Sequence, residues 1–343
     1  MKIYVGMSGG VDSSVSALLL KRAGHNITGV FIKTWQPDYI ECTWKQDRLD
    51  AMRVCAQLDI PFITLDLERE YKEHVIDYFL NEYKNNRVPN GDIMCNKYIK
   101  FGAFLKFAMD SGAESIATGH YAKIKGDDLF AAADESKDQS YFLYQIKKED
   151  LSKIIFPISE MKKTEVRDIA KKHDLYVADK KDSQGICMLG GDVSVKDFLM
   201  HELNTKNGDV IDTEGNVIGV HSGAVLYTIG ERHGFEVFKK TSDTEAYFVI
   251  EKDAENNKLI VSNQKPKENK TNKIILQEMN FFETPEIDRV YLARSRYRGE
   301  LKKVKVDVKN SSVELLEDLL CVSGQSMVIY DESKKVICGG VIK

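Results

Sequence analysis

A chain of 343 residues, 43% hydrophobic and 30% charged, can hold two or three domains, and its composition excludes a disordered or fibrous protein. Its net charge of −4 excludes binding to nucleic acid by overall basicity alone. No apolar run approaches the length that spans a bilayer, and Met1-Lys2-Ile3-Tyr4-Val5 enters a strand pattern without room for a signal peptide, so a cytoplasmic location with no membrane partner is expected.

The apolar run Ile3–Val5 is followed by Ser8-Gly9-Gly10-Val11-Asp12-Ser13-Ser14 and then by a helical stretch, Val15–Ala23: strand, tight turn, helix. Glycines let backbone approach a ligand closely, and helix-start amides with Ser and Asp side chains suit a phosphate and its metal. No Lys follows the second glycine, so this is not the G-x-x-x-x-G-K-[ST] loop. Strand patterns at Ile27–Ile32, Phe62–Leu67 and Ser115–Thr118 alternate with helical ones at Gln46–Leu58, Tyr71–Tyr83 and Phe101–Ser111. That rhythm predicts an α/β fold, with a parallel sheet covered on both faces and a ligand at the carboxyl ends of its strands. Helical patterning continues through Lys162–His173 and Val195–Leu203.

From Asn207 the texture becomes β. Asp212-Thr213-Glu214-Gly215 signals a hairpin, a second hairpin is expected from Ala246–Lys252 to Lys258–Val261, and the polar tract Asn263–Lys273 reads as a linker. Alternation in Lys303–Val308 predicts a small barrel or sandwich. The expected domains are 1–203, 204–268 and 269–343. Within the last, Lys and Arg outnumber Asp and Glu six to one from Arg294 to Lys305, and Tyr297 lies among them, a mixture that suits phosphate contact and base stacking.

The Ser8–Ser14 loop resembles the pyrophosphate-binding loop of ATP pyrophosphatases, which cut ATP between its α and β phosphates and usually adenylate a carbonyl oxygen. Five more segments stand out: Pro89–Lys97 (PNGDIMCNK), Ala117–Ala122 (ATGHYA), Lys137–Leu143 (KDQSYFL), Asp182–Cys187 (DSQGIC) and Tyr227–Arg232 (YTIGER). With the loop, in this order and spacing, they resemble the tRNA-specific 2-thiouridylase family along the whole chain. The resemblance implies a pyrophosphatase-loop nucleotide-hydrolase-like domain followed by two small, mainly β domains, the last a tRNA-binding β-barrel. It implies 2-thiolation of the wobble uridine of tRNA, with ATP and Mg²⁺, adenylation of the uracil C2 oxygen, and release of AMP and pyrophosphate.

Substitution at C2 needs an activated leaving group and a sulfur nucleophile, and release of the product needs a second thiol that exchanges to a disulfide. Six cysteines without a C-x-x-C pair suit neither a disulfide scaffold nor a zinc or iron–sulfur site. Cys95 and Cys187 lie among glycine and polar residues, whereas Cys55 lies in a helical stripe that suits burial, and Cys42 has no reading. By resemblance, Cys187 carries the persulfide, Cys95 is the nucleophile that closes a transient disulfide with it, and Asp92 is the candidate acid/base. The resemblance assigns ATP to Gly6, Met7, Ser8, Gly9, Gly10, Val11, Asp12, Ser13, Ile32 and Gly119, with no dedicated metal site. It assigns tRNA to Asn90, Gly91, Asp92, His120, Lys137, Asp138, Gln139, Arg296, Tyr297 and Gln325. A sulfur donor, either a cysteine desulfurase or a relay protein, is the other expected partner, and the segments around Cys95 and Lys180–Gly191 are expected to move.

Read as residues alone, Asp92 also fits a turn cap and His120 a satisfied core histidine. Glu231, Ser222, Gly91 and Gln184 depart from the family's common Gln, His, Pro and Thr. An amide-forming synthetase or an RNA-binding protein with a relic loop remain alternatives. The first would not need Cys95 or Cys187.

Overall fold

The computed structural model describes residues 1–39, 44–181, 194–238, 246–264 and 272–343. The apolar strands β1 (Lys2–Gly6) and β2 (Asn26–Lys33) are buried through their central residues, as inner strands of a sheet covered on both faces must be. With β3 (Phe62–Asp66), β4 (Ser115–Ala117) and β7 (Ile154–Ile155) they form a parallel sheet in the order β3-β2-β1-β4-β7. The last strand has two residues, too few for any periodicity to reveal it. A small hairpin, β5 (Lys123–Lys125) with β6 (Asp128–Phe130), interrupts the alternation.

Helix α1 (Val11–Arg22) begins four positions before the expected Val15. Its first turn is closed by the serines themselves, because the Ser13 and Ser14 hydroxyls donate to the Gly10 carbonyl at 3.2 and 2.8 Å. Ala17 and Leu20 pack toward the sheet, while Val11, Val15 and Leu18 meet Val166 and Ala170 of a later helix, α7 (Lys163–Lys172). Helix α2 (Trp44–Gln57) packs beside α1 on the same sheet face through Ala51, Val54 and Cys55.

Two longer helical runs contain π-helical turns. The first joins α3 (Glu68–Tyr71), a π-helical Lys72–Ile76 and α4 (Asp77–Lys84). The second joins α5 (Gly91–Met94), a π-helical Cys95–Phe104 and α6 (Leu105–Asp110). This run starts at Gly91 instead of Phe101, since the wider π turns hide the 3.6-residue period on which the sequence reading relied.

Helix α8 (Val195–Leu203), capped by the Ser194 side chain, leads to β8 (Gly208–Ile211), β9 (Val217–His221), β10 (Glu236–Val237), β11 (Phe248–Asp253) and β12 (Lys258–Ser262). Both expected hairpins are present in a sheet ordered β10-β9-β8-β12-β11. The C-terminal strands β13 (Lys273–Phe281), β14 (Val290–Arg294), β15 (Lys302–Asp307), β16 (Ser312–Leu315), β17 (Ser326–Tyr330) and β18 (Val336–Ile342) close into a barrel, which decides between barrel and sandwich. No helix among the described residues is long and apolar enough to cross a membrane.

Buried tyrosines of the first domain fasten the barrel to it. The Tyr141 hydroxyl donates to the Ser326 carbonyl at 2.8 Å, Tyr144 meets the Ser326 hydroxyl at 3.0 Å, and Asn280 Nδ2 donates to the Tyr144 carbonyl at 2.7 Å. Tyr141 is fully buried. Tyr141→Phe, which keeps the ring but orphans the Ser326 carbonyl, should destabilise the protein by about 1–3 kcal/mol in urea unfolding, and an unchanged midpoint would refute this fastening role.

Candidate active site

Because β1 lies between β2 and β4, the chain leaves its carboxyl end at the point where strand order reverses, the usual crevice for a ligand in an open parallel sheet. Residues Gly6–Ser13 turn there. Gly9 has φ +73, the left-handed region that glycine enters without strain, and Gly10 caps α1 with extended backbone. Ser8 and Ser13 hydroxyls meet at 3.1 Å, the Ser8 amide donates to Ser13 Oγ at 3.2 Å, and the Gly10 amide donates to Ser8 Oγ at 3.3 Å. The loop therefore holds its shape through its own short side chains. Met7 and Val11 are buried in the core beneath it, so only their backbone can face a ligand.

Gly119, just past β4, closes the other side. A Cβ at this position would lie 2.7 Å from the Ser13 nitrogen and 2.8 Å from the Asp12 carbonyl carbon, so no larger residue fits. Half-buried Ile32 sits at the carboxyl end of β2, on the far side of β1. The sequence reading missed two further residues. Lys163 Nζ, from the first position of α7, donates to both Asp12 oxygens at 2.7 and 2.8 Å, and the Tyr121 hydroxyl donates to Asp12 Oδ1 at 2.9 Å. Tyr121 lay inside a recognised segment. Nothing local marks Lys163, which reaches Asp12 only through the packing of α7 on α1.

Among the described residues no group of three or more His, Cys, Asp or Glu assembles to hold a metal. A Mg²⁺ that arrives with ATP needs only one or two carboxylates besides phosphate, and Asp12, beside the loop, fits that requirement.

Cys95 is 2% exposed and belongs to the main apolar core, which corrects the expectation that it lies among glycine and polar residues. Asn90 caps the Cys95 helix, its Oδ1 accepting from the Asp92 and Ile93 amides at 3.1 and 3.3 Å, while Gly91 is buried and Asp92 half-buried in the first turn. Farther along the same run, Phe104 lies under Gly6 of the loop. Cys187, Cys42 and Gln184 lie outside the described residues. The chain leading to Cys187 is anchored by Lys180, whose Nζ donates to Asp47 and Asp50 at 2.8 and 2.6 Å. Asp47 backs directly onto Gly9, so residue 180 is tied beside the loop. Burial opposes the Lys180 charge, but the two carboxylates outweigh it and raise its pKa. Cys55, Cys321 and Cys338 are buried, and burial pushes each thiol up to about 12, away from the reactive range.

Several of the residues assigned to tRNA lie where the first domain meets the barrel. Asp138 is buried and accepts from the Ala132 and Ser140 amides at 3.1 Å each, with Arg294 Nη1 at 3.4 Å. Gln139 accepts from the Tyr121 amide at 2.9 Å and donates its own amide to the Tyr121 carbonyl at 2.7 Å. Lys137 is half-exposed beside them. On the barrel, Arg296 is exposed, and the Tyr297 ring rests on Phe142 at 4.5 Å with the Arg298 guanidinium 5.0 Å away. Gln325 Nε2 donates to the Val88 carbonyl at 3.0 Å, two residues before Asn90. Glu231 Oε2 accepts from the Thr228 amide at 3.0 Å and lies near Lys252, whose pKa burial lowers to about 8.

His120 is buried between Phe101 and Phe156, with Nδ1 2.7 Å from Thr118 Oγ1 and Nε2 3.4 Å from Lys100 Nζ. A neutral ring that donates from Nδ1 and accepts at Nε2 satisfies both contacts. Burial, reinforced by the Lys100 charge, holds its pKa well below 6.5. Because the unfolded ring takes up a proton and the folded ring does not, the stability tied to this burial is complete above about pH 6.5 and lost as the pH falls below it. His120→Gln should flatten the loss of stability between about pH 7 and pH 5 in urea unfolding, and an unchanged pH slope would show that another group is responsible.

Residues 1–191 match the family model described as tRNA methyl transferase HUP domain, and residues 196–263 match the tRNA methyl transferase PRC-barrel domain. The tRNA-specific 2-thiouridylase MnmA of Oceanobacillus iheyensis is 39% identical over 99% of this chain and 94% of its own. The enzymes of the same name from Listeria innocua (41% identity, 96% and 92%) and Staphylococcus haemolyticus (40%, 99% and 94%) are equally similar. With matches at this level along nearly its whole length, this chain belongs to the tRNA-specific 2-thiouridylase family.

Proposed function

We propose that this protein replaces the C2 oxygen of a tRNA wobble uridine with sulfur, consuming ATP. The observation that carries the reading is the cradle at the sheet's switch point, where the Gly6–Ser13 loop, the start of α1 and Gly119 close on one another. It is shaped for phosphates by backbone amides and a helix N-terminus, and no P-loop lysine is present. Uracil O2 attacks the α-phosphorus and pyrophosphate leaves, while Asp92 accepts the N3 proton. When bound with ATP, Mg²⁺ neutralises phosphate charge. Asp12 would hold it.

The terminal sulfur of a Cys187 persulfide then attacks C2, and AMP departs with the original oxygen. The Cys95 thiolate attacks Cys187 Sγ, the bond to the transferred sulfur breaks, and its electron pair stays with the base. The sulfane sulfur is reduced and the two cysteines are oxidised to a disulfide, which an external thiol must reopen. Burial of Cys95 supports this order, since a thiol kept from bulk solvent is spared competing oxidation until the base and the persulfide meet it. A cysteine desulfurase or relay protein loads Cys187.

A base flipped from a stacked anticodon needs a surface to receive it and its neighbours. Lys137, Arg296 and Tyr297 supply charge and an aromatic face, Tyr297 resting on Phe142 of the first domain, and Gln325 ties the barrel to the segment that enters the Asn90–Asp92 turn. Tyr297→Ala should weaken tRNA binding by about 1–3 kcal/mol, read by filter binding at fixed salt, and unchanged affinity would remove Tyr297 from the interface. Nucleoside mass spectrometry of tRNA incubated with ATP, Mg²⁺ and a sulfur source should detect 2-thiouridine with the wild type and not with Cys95→Ser or Cys187→Ser. Product retained by Cys187→Ser would sink the persulfide mechanism.

A further inference from the structure

We propose that a cavity between the first domain and the barrel is an anion site for a phosphate group, anchored by the buried Arg294 guanidinium. The cavity measures about 570 Å³, within the range of small-ligand sites. The turn 131–138 of the first domain lines one side, and Arg294, the loop 298–301 and Lys334 of the barrel line the other. Its walls are already joined, since the Ala131 amide donates to the Lys334 carbonyl at 3.0 Å and Lys334 pairs with Glu135. None of its lining residues belongs to the Gly6–Ser13 loop.

The carboxylates that line the cavity are matched, and the unmatched groups are donors. Asp138 Oδ1 accepts the Ala132 and Ser140 amides and Oδ2 accepts the Ser140 hydroxyl, each at 3.1 Å. Glu135 pairs with Lys334, and Glu300 with Lys302 at 2.8 Å. Arg294 is 8% exposed, yet its Nε has no acceptor among the described residues, and its Nη1 stands 3.4 Å from Asp138 Oδ2. That is long against the roughly 2.7–2.9 Å of a committed charge-assisted bond. Arg298 is exposed at the same cavity, and no carboxylate pairs with it among the described residues. A buried guanidinium short of acceptors costs stability, which an incoming anion restores. Phosphate oxygens suit two guanidinium forks, whereas a cation would meet two arginines. The tRNA-assigned residues Lys137–Gln139 and Arg296–Tyr297 adjoin the cavity in sequence on its two walls, so either an RNA backbone or a free phosphate compound can bring the group.

Inorganic phosphate titrated into the full chain, with a non-hydrolysable ATP analogue present and phosphorus NMR linewidth as the readout, tests the assignment. Arg298→Ala, and Arg294→Lys, which keeps a cation beside Asp138 but removes the fork, should each weaken phosphate binding about tenfold or more. Phosphate held elsewhere, the nucleotide loop included, is the part that both variants leave unchanged. Filter binding of tRNA at several salt concentrations separates the two sources. Displacement of phosphate by tRNA, with a salt slope lower by about one in Arg298→Ala, identifies an RNA backbone phosphate. Phosphate that stays bound beside tRNA identifies a free phosphate compound. Phosphate binding and salt slope both unchanged in the two variants would overturn the proposal. Only the RNA source rests on the proposed function: a wild type that failed to bind tRNA would sink that function and leave phosphate binding to decide the cavity.

Discussion

In a parallel sheet ordered β3-β2-β1-β4-β7, the connections on either side of β1 run in opposite directions, and the carboxyl end of β1 opens into the gap between them. Everything at the site follows from that gap. The turn after β1 must reverse within a few residues, which Gly9 permits with its positive φ. The turn after β4 must approach the start of α1 more closely than a Cβ allows, which Gly119 permits by having none. Once these two turns meet, the first amides of α1 face outward, and the carboxylate of Asp12 faces α7.

The same constraint explains why the loop needs so little support from elsewhere. Ser8, Ser13 and Ser14 bond to one another or to the Gly10 carbonyl, so the turn is shaped by hydroxyls only one rotatable bond from the backbone. Short side chains lose little entropy on ordering, which makes such a loop inexpensive to hold in a single shape. Lys163 is the exception, a long cation brought in from a distant helix.

The barrel is a structural continuation of the first domain, not a loosely tethered appendage. Tyr141, Tyr144 and Tyr330 lie in one core that spans both, and the buried Asp138–Arg294 pair bridges them where Asp138 already accepts backbone amides. A buried carboxylate is tolerable only with donors on all sides, and Asp138 has them from both domains. The joint also fixes the chain that leads to the Asn90–Asp92 turn, because Gln325 grips the Val88 carbonyl just before it.

The α/β class, the strand–turn–helix around Ser8–Ser14, the helix Val195–Leu203 and both central hairpins were legible in the chain itself, because each is written in local chemistry: strand-like apolar runs, glycine-serine turns and alternation. The start of the helix that carries Cys95 was not, since π-helical turns break the period that marks helices. Nor was the burial of Cys95 visible, because its sequence segment mixes glycine and polar residues while the fold places it in the main apolar core. The barrel closure, the two-residue strand β7 and the pairing of Lys163 with Asp12 exist only in three dimensions. The sequence by itself determined which residues can turn tightly, start a helix or pair as strands. The tertiary structure alone decided which of them meet, because contacts between residues 151 positions apart depend on how sheet and helices pack and leave no local signature.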